Sequence, residues 1–190
     1  MKINRRQALT VASVAAITTA LDARSMGSTE TNEIEHTKPT TTNAEIIRRQ
    51  NDVLNRGDIA AAVQLYAEDA NNNGRAIGRQ GLLAVLTDIY TTFPDWHMEI
   101  EDLDAVGDDV IVRGNVMGTH KGVGQRPVNG GLLVGVAPTG KSFKVQHIHW
   151  FKLKDGLIVQ HRATRDDLGM MQQLGLLPAV KRDTSATPNK

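Results

Sequence analysis

The chain contains no cysteine, which excludes disulfides, thiolate metal sites, cysteine nucleophiles and lipid attachment through Cys. Aromatic residues are scarce, with two Trp, two Tyr and three Phe, so the core must rest mainly on Val, Leu, Ile and Ala. Charge of one sign is lacking as well, the formal net charge of the 190 residues being +1. Setting aside residues 1–23, which hold Lys2, Arg5, Arg6 and Asp22, leaves 19 basic against 20 acidic residues. That balance lacks the basic footprint of a nucleic-acid binder, so no nucleic-acid partner is expected. The uncharged run Ala8–Leu21 has 14 residues, too few to span a bilayer comfortably. What is present is a hydrophobic content of 40%, enough for a real core, on a length that suits one domain with tails.

The first residues read as an address. Met1–Gln7 is short and basic, and the uncharged run behind it suits a signal h-region. Arg5-Arg6 followed by Leu9 resembles the twin-arginine motif of folded-protein export, with Asn4, Ala8 and Thr10 where Ser or Thr, Phe and Lys are usual. The expectation is a signal peptide over residues 1–23 and export to periplasm or medium, with no stable membrane insertion after cleavage. The alternative is a disordered tail with a chance Arg pair. Residues 24–42, rich in Thr, Glu, Asn, Ser and Lys, read as a flexible linker to a domain over residues 43–178, and 179–190 as a disordered tail.

Helices come first in that domain. Asn43 is a plausible N-cap, and Ile46, Ile47, Gln50, Val53 and Leu54 fall at helical spacing. Arg56-Gly57-Asp58 stops this helix and caps a second, with Ile59, Val63 and Tyr66 on one face. A polar loop, Ala70–Arg75, leads to a third helix over Arg79–Thr92, which Pro94 ends. The period then changes to two: Trp96, Met98 and Ile100 alternate with His97, Glu99 and Glu101. Further strands are expected over Val110–Thr119, Ser142–Leu153 and Leu157–Arg165, the last two joined by the primed hairpin turn Asp155-Gly156. A short helix over Asp166–Leu174 closes the domain. Helices followed by antiparallel strands imply an α+β fold.

The hairpin allows a register to be derived. With Lys154 opposite Leu157, His147 falls opposite Thr164, His149 opposite Arg162 and Phe151 opposite Gln160. One face then carries His147, His149, Phe151, Gln160, Arg162 and, at its end, Asp166, while Ile148, Trp150, Val159, His161 and Ala163 take the other. Apolar residues mixed with two imidazoles, a guanidinium and a carboxylate suit a pocket lining. A carboxylate desolvated beside imidazole can serve as a general acid/base. The alternative has that face outward and Asp166 simply capping the last helix. His147, His149 and Asp166 lack a third imidazole for a metal, so no metal is expected. His120, beside Gly118 and Gly122, lies at a pocket mouth or in a surface loop. No phosphate loop and no Gly-x-Ser-x-Gly elbow is present.

Six ordered stretches carry a resemblance: Asn55-Arg56-Gly57-Asp58, Phe93-Pro94-Asp95, Gly118-Thr119-His120-Lys121-Gly122, Ala137-Pro138-Thr139-Gly140-Lys141, Asp155-Gly156-Leu157-Ile158-Val159 and Asp166–Gly175. Over about residues 44–177 the chain resembles the SnoaL-like polyketide cyclase, or ester cyclase, family. The resemblance implies the cone-shaped fold of nuclear transport factor 2, with helices closing a curved antiparallel sheet over a pocket. It also implies cofactor-free, metal-free aldol chemistry, with Asp166 in the place of the general acid/base, and a homodimer. Arg162 stands where relatives often have Trp, which favours a small acidic or carbonyl substrate over a large aromatic polyketide. The functional expectation is an acid/base enzyme on a small carbonyl compound, catalysing aldol-type cyclisation or isomerisation. Asp166, His147 and His149 would be catalytic, and Arg162, His120, Phe151, Gln160 and Trp96 would contact substrate. The alternative is a non-catalytic ligand-binding module on the same scaffold.

Overall fold

The computed structural model describes residues 41–127 and 131–177. The segment expected to be a signal peptide, nearly all of the expected linker and the expected C-terminal tail lie outside the described residues. The first helix, α1 (Asn43–Asn55), starts one residue from the expected cap. Thr42 is the N-cap, its hydroxyl accepting from Glu45 N–H while the Glu45 carboxylate accepts from Thr42 N–H, a complete capping box. Asp58 caps α2 (Ile59–Gln64) by accepting from Ala61 N–H at 2.9 Å.

Tyr66 does not continue that helix. The chain turns extended as β1 (Tyr66–Asn72) and folds back as β2 (Arg75–Ala76) through Asn73-Gly74, both at positive φ. The expected polar loop is thus a small hairpin. Beyond it, α3 (Gly78–Thr92) leads through Phe93 and Pro94 into β3 (His97–Val106) and β4 (Asp109–Thr119). The long strand β5 (Ser142–Lys154) and β6 (Leu157–Arg165) form the hairpin foreseen at Asp155-Gly156, and α4 (Asp167–Gln173) follows.

The six strands run in the order β2-β1-β6-β5-β4-β3. Every pairing is antiparallel except β1 with β6, which is parallel, so the curved sheet is mixed rather than purely antiparallel. β4 alternates Val110, Val112 and Val116 inward, each 2% exposed or less, against the residues of α1 and β5. Full burial of such side chains contributes about 1.5–3 kcal/mol apiece. Ile111, Ile148 and Trp150 on the outer face stay 43%, 45% and 48% exposed.

Several family-like stretches act as joints between layers. Asn55 donates to Met98 C=O and accepts from Met98 N–H, stitching the end of α1 to β3. Asp95 accepts from the backbone N–H and hydroxyl of Thr119 at 2.7 and 2.6 Å. Among the described residues no helix is long and apolar enough to cross a membrane.

Candidate active site

Between the helices and the inner sheet face lies a cavity of about 660 Å³. β5 supplies one wall by strict alternation: Phe143, Val145, His147, His149 and Phe151 point inward, and Lys144, Gln146, Ile148, Trp150 and Lys152 outward.

β6 does not keep the expected register. Lys154 faces Leu157 and Leu153 faces Ile158, but Lys152 then faces Gln160, leaving Val159 as an extra residue. From there every pairing is shifted: His149 faces Ala163 and His147 faces Arg165, not Arg162 and Thr164. A one-residue slip exchanges the faces of a strand. His161, Ala163 and Arg165 therefore line the cavity. Gln160 and Arg162, expected to touch substrate, instead line an outer recess of about 240 Å³ with Asp109, Trp150 and Lys152.

The same slip corrects the place of Asp166. Its side chain is exposed and caps α4, accepting from Gly169 N–H at 2.7 Å, and it is not part of the cavity wall. A Cβ on residue 169 would sit 2.2 Å from that carboxylate, so glycine makes room for the cap. Asp166→Ala is expected to cost about 0.5–2 kcal/mol of stability while Asp166→Asn costs little, measured by urea unfolding. His120 is neither at a mouth nor in a surface loop. It is fully buried, its ring 5.8 Å from Phe93 and its Nδ1 accepting from Thr139 N–H. It does not line the cavity. Trp96, Phe151, His147 and His149 do line it, as expected.

The slip creates a row of imidazoles. His161 stacks on His149 with centroids 5.1 Å apart and on Phe151 at 4.7 Å, and His147 lies 5.5 Å from His149. Nδ1 of His161 is 2.8 Å from Asn72 Oδ1, and its Nε2 is 2.8 Å from Nδ1 of His149. The proton positions follow from chemistry. An amide oxygen only accepts, so His161 carries its proton on Nδ1 and leaves Nε2 as an acceptor. His149 then carries its proton on Nδ1, and its Nε2 is a bare lone pair. That atom is buried and has no hydrogen-bond partner among the described residues.

All three rings are held neutral. Burial, followed by the Arg165 cation, lowers His147 to about 4. Burial, His147 and Arg165 bring His149 to about 3, and His161 lies well below its ordinary 6.5 for the same kinds of reason. Tyr66 completes the polar set. Its hydroxyl accepts from Gln50 Nε2 at 3.3 Å inside the same cavity, and burial raises its pKa, so it remains a protonated donor. Among the described residues no group of three or more His, Cys, Asp or Glu is arranged to hold a metal ion.

Matching this geometry, the family model for SnoaL-like polyketide cyclases aligns with residues 44–174. The chain belongs to that family. Aklanonic acid methyl ester cyclase DnrD of Streptomyces peucetius is 28% identical to this SnoaL-like chain over 141 residues, covering 70% of it and 91% of the relative. IdmH of Streptomyces antibioticus, a candidate polyketide cyclase, superposes with a TM-score of 0.56 at 28% identity, over 69% of this chain and 96% of IdmH. TsrD from Streptomyces laurentii gives 0.59 at 25% identity, over 70% and 94%. Small-molecule polyketides are the substrates of the SnoaL-like family. His161, Arg165 and Asn72, which this member brings to its cavity, were not legible as site residues. The one available signal was Asn73-Gly74, a hairpin dipeptide as strong as Asp155-Gly156, which places Asn72 at a strand end.

Proposed function

We propose that this SnoaL-like protein is a cofactor-independent acid/base enzyme acting on a small carbonyl compound, by aldol-type cyclisation or isomerisation. The observation that carries this is the buried, unpartnered Nε2 of His149, whose lone pair is fixed by the Asn72–His161 chain. In this scheme His149 Nε2 takes a proton from the carbon beside a carbonyl, and the electron pair moves to the carbonyl oxygen. The Tyr66 hydroxyl donates to that oxygen as charge develops. In a cyclisation the enolate carbon then forms a bond to a second carbonyl carbon of the same molecule, whose oxygen takes up the proton. Atoms and charge balance without a co-reactant. His149 replaces Asp166 as the proposed base, because Asp166 is turned away onto its own helix.

The test is enzyme-catalysed deuterium incorporation, by NMR in D2O, into a panel of keto esters and diketones sized for the cavity. Exchange above background that survives Asp166→Asn and is lost in His149→Gln supports the proposal. No exchange across the panel, with ligand binding intact, would favour the non-catalytic binding module.

Export and dimerisation belong to the same proposal. Arg5-Arg6 before an uncharged run supports twin-arginine export, and exposed Ile111, Ile148 and Trp150 support pairing through the outer sheet face. A reporter fused to residues 1–42 should lose export on Arg5-Arg6→Lys-Lys, and light scattering should give twice the chain mass.

A further inference from the structure

Among the described residues the cavity wall contains three charged residues, Arg75, Arg126 and Arg165, and no Asp or Glu. The imidazoles of the wall add no further positive charge, since burial keeps them neutral. Arg75 on β2 and Arg126 are exposed, with no side-chain ion pair among the described residues. Asp88 is buried and accepts from the backbone N–H groups of Gln125 and Arg126 at 2.8 and 3.2 Å. Arg165 lies deeper. Among the described residues its guanidinium meets one carboxylate, Asp167, through two long contacts, Nε to Oδ1 at 3.4 Å and Nη2 donating to Oδ2 at 3.5 Å, and its buried Nε makes no hydrogen bond. A guanidinium in the cavity wall whose carboxylate partner is held this loosely keeps donors for the planar carboxylate of a ligand.

We propose that the substrate enters as a carboxylate anion, bound by Arg165 at the cavity wall and steered in by Arg75 and Arg126. The substrate would therefore be a carbonyl-containing carboxylic acid and not its methyl ester. This deepens the acid/base reading of the same cavity and rests on it for the carbonyl. A bound carboxylate also has a consequence for the imidazoles. It cancels part of the Arg165 field at His147 and His149 and so raises their basicity when substrate arrives.

The probes are 4,6-dioxoheptanoate and its methyl ester, equal in skeleton and different in charge. Calorimetry at pH 7.5 should show the acid binding at least tenfold tighter than the ester. Arg165→Gln should remove that preference by weakening the acid tenfold or more, with the ester changed less than twofold. Arg75→Gln/Arg126→Gln should slow acid association and flatten its salt dependence, leaving the ester rate unchanged. In NMR titrations the acid should raise the apparent pKa of His147, and the ester should not. Equal affinities, a tighter ester, or a preference that survives Arg165→Gln would overturn the inference. Deuterium exchange on the same two probes separates the two proposals. His149-dependent exchange without charge preference sinks only the carboxylate, whereas acid preference without exchange sinks only the acid/base reading.

Discussion

His149→Gln is expected to slow proton abstraction by about 10²–10⁴-fold, the range ordinarily supplied by a positioned general base. The amide fills much the same volume and stays compatible with the wall, so substrate binding should change far less than turnover. His161→Phe keeps the stack on Phe151 but removes the acceptor that holds the His149 proton on Nδ1. Its turnover should fall between wild type and His149→Gln. The pH profile adds a second constraint. A base held at about 3 in the free enzyme stays unprotonated down to mildly acidic pH. The acid limb of kcat/KM should therefore lie below pH 5, not near the 6.5 of an ordinary imidazole. An acid limb at 6.5, or full activity in His149→Gln, would remove this residue from the chemistry. Loss of activity in Asp166→Asn, with its cap and stability retained, would return the role to the helix cap.

The same imidazoles make the fold acid-sensitive. Their folded-state values lie below the ordinary 6.5: about 4 for His147, about 3 for His149 and well below for His161. As pH falls below 6.5 the unfolded chain binds protons that the folded chain refuses. Stability is thus full above about pH 6.5 and drains as pH falls toward 4. Each ring contributes a slope of up to about 1.4 kcal/mol per pH unit, so three together reach about 4 kcal/mol per unit between pH 6 and 4. Urea unfolding across pH 4–7.5 measures this directly, and His147→Gln should reduce the slope by about a third. A flat profile over that window would mean that the rings reach solvent.

The carboxylates with lowered pKa act in the same direction but lower on the scale, Asp95 through its bonds to Thr119 being one. Their loss belongs to lower pH than the imidazoles', so the two contributions separate by window.

Most of the fold was legible because its signals are local. Pro94 ends a helix, alternation from Trp96 marks a strand, and Asp155-Gly156 folds back a hairpin whose first two pairs form as derived. The parallel pairing of β1 with β6 was not legible, since it joins residues about ninety apart in sequence and no short-range pattern encodes it. The site was half legible. His147, His149 and Phe151 follow from β5, which is regular over all thirteen of its residues. Arg162, Gln160 and Asp166 were placed wrongly because Val159 carries no glycine or proline to mark the extra residue. The bulge forms where β6 must meet β1 on one side and β5 on the other, and both registers shift there.

That single unpaired residue decides which side chains the pocket receives. Were Val159 to join the ladder opposite Lys152, every later residue of β6 would change faces. Gln160, Arg162 and Thr164 would then face the cavity and His161, Ala163 and Arg165 would face outward, replacing one complete wall by another. Deleting Val159 would instead leave Gln160 opposite Lys152 and keep the present wall, so the wall's identity is held by the skipping of residue 159 and not by its side chain.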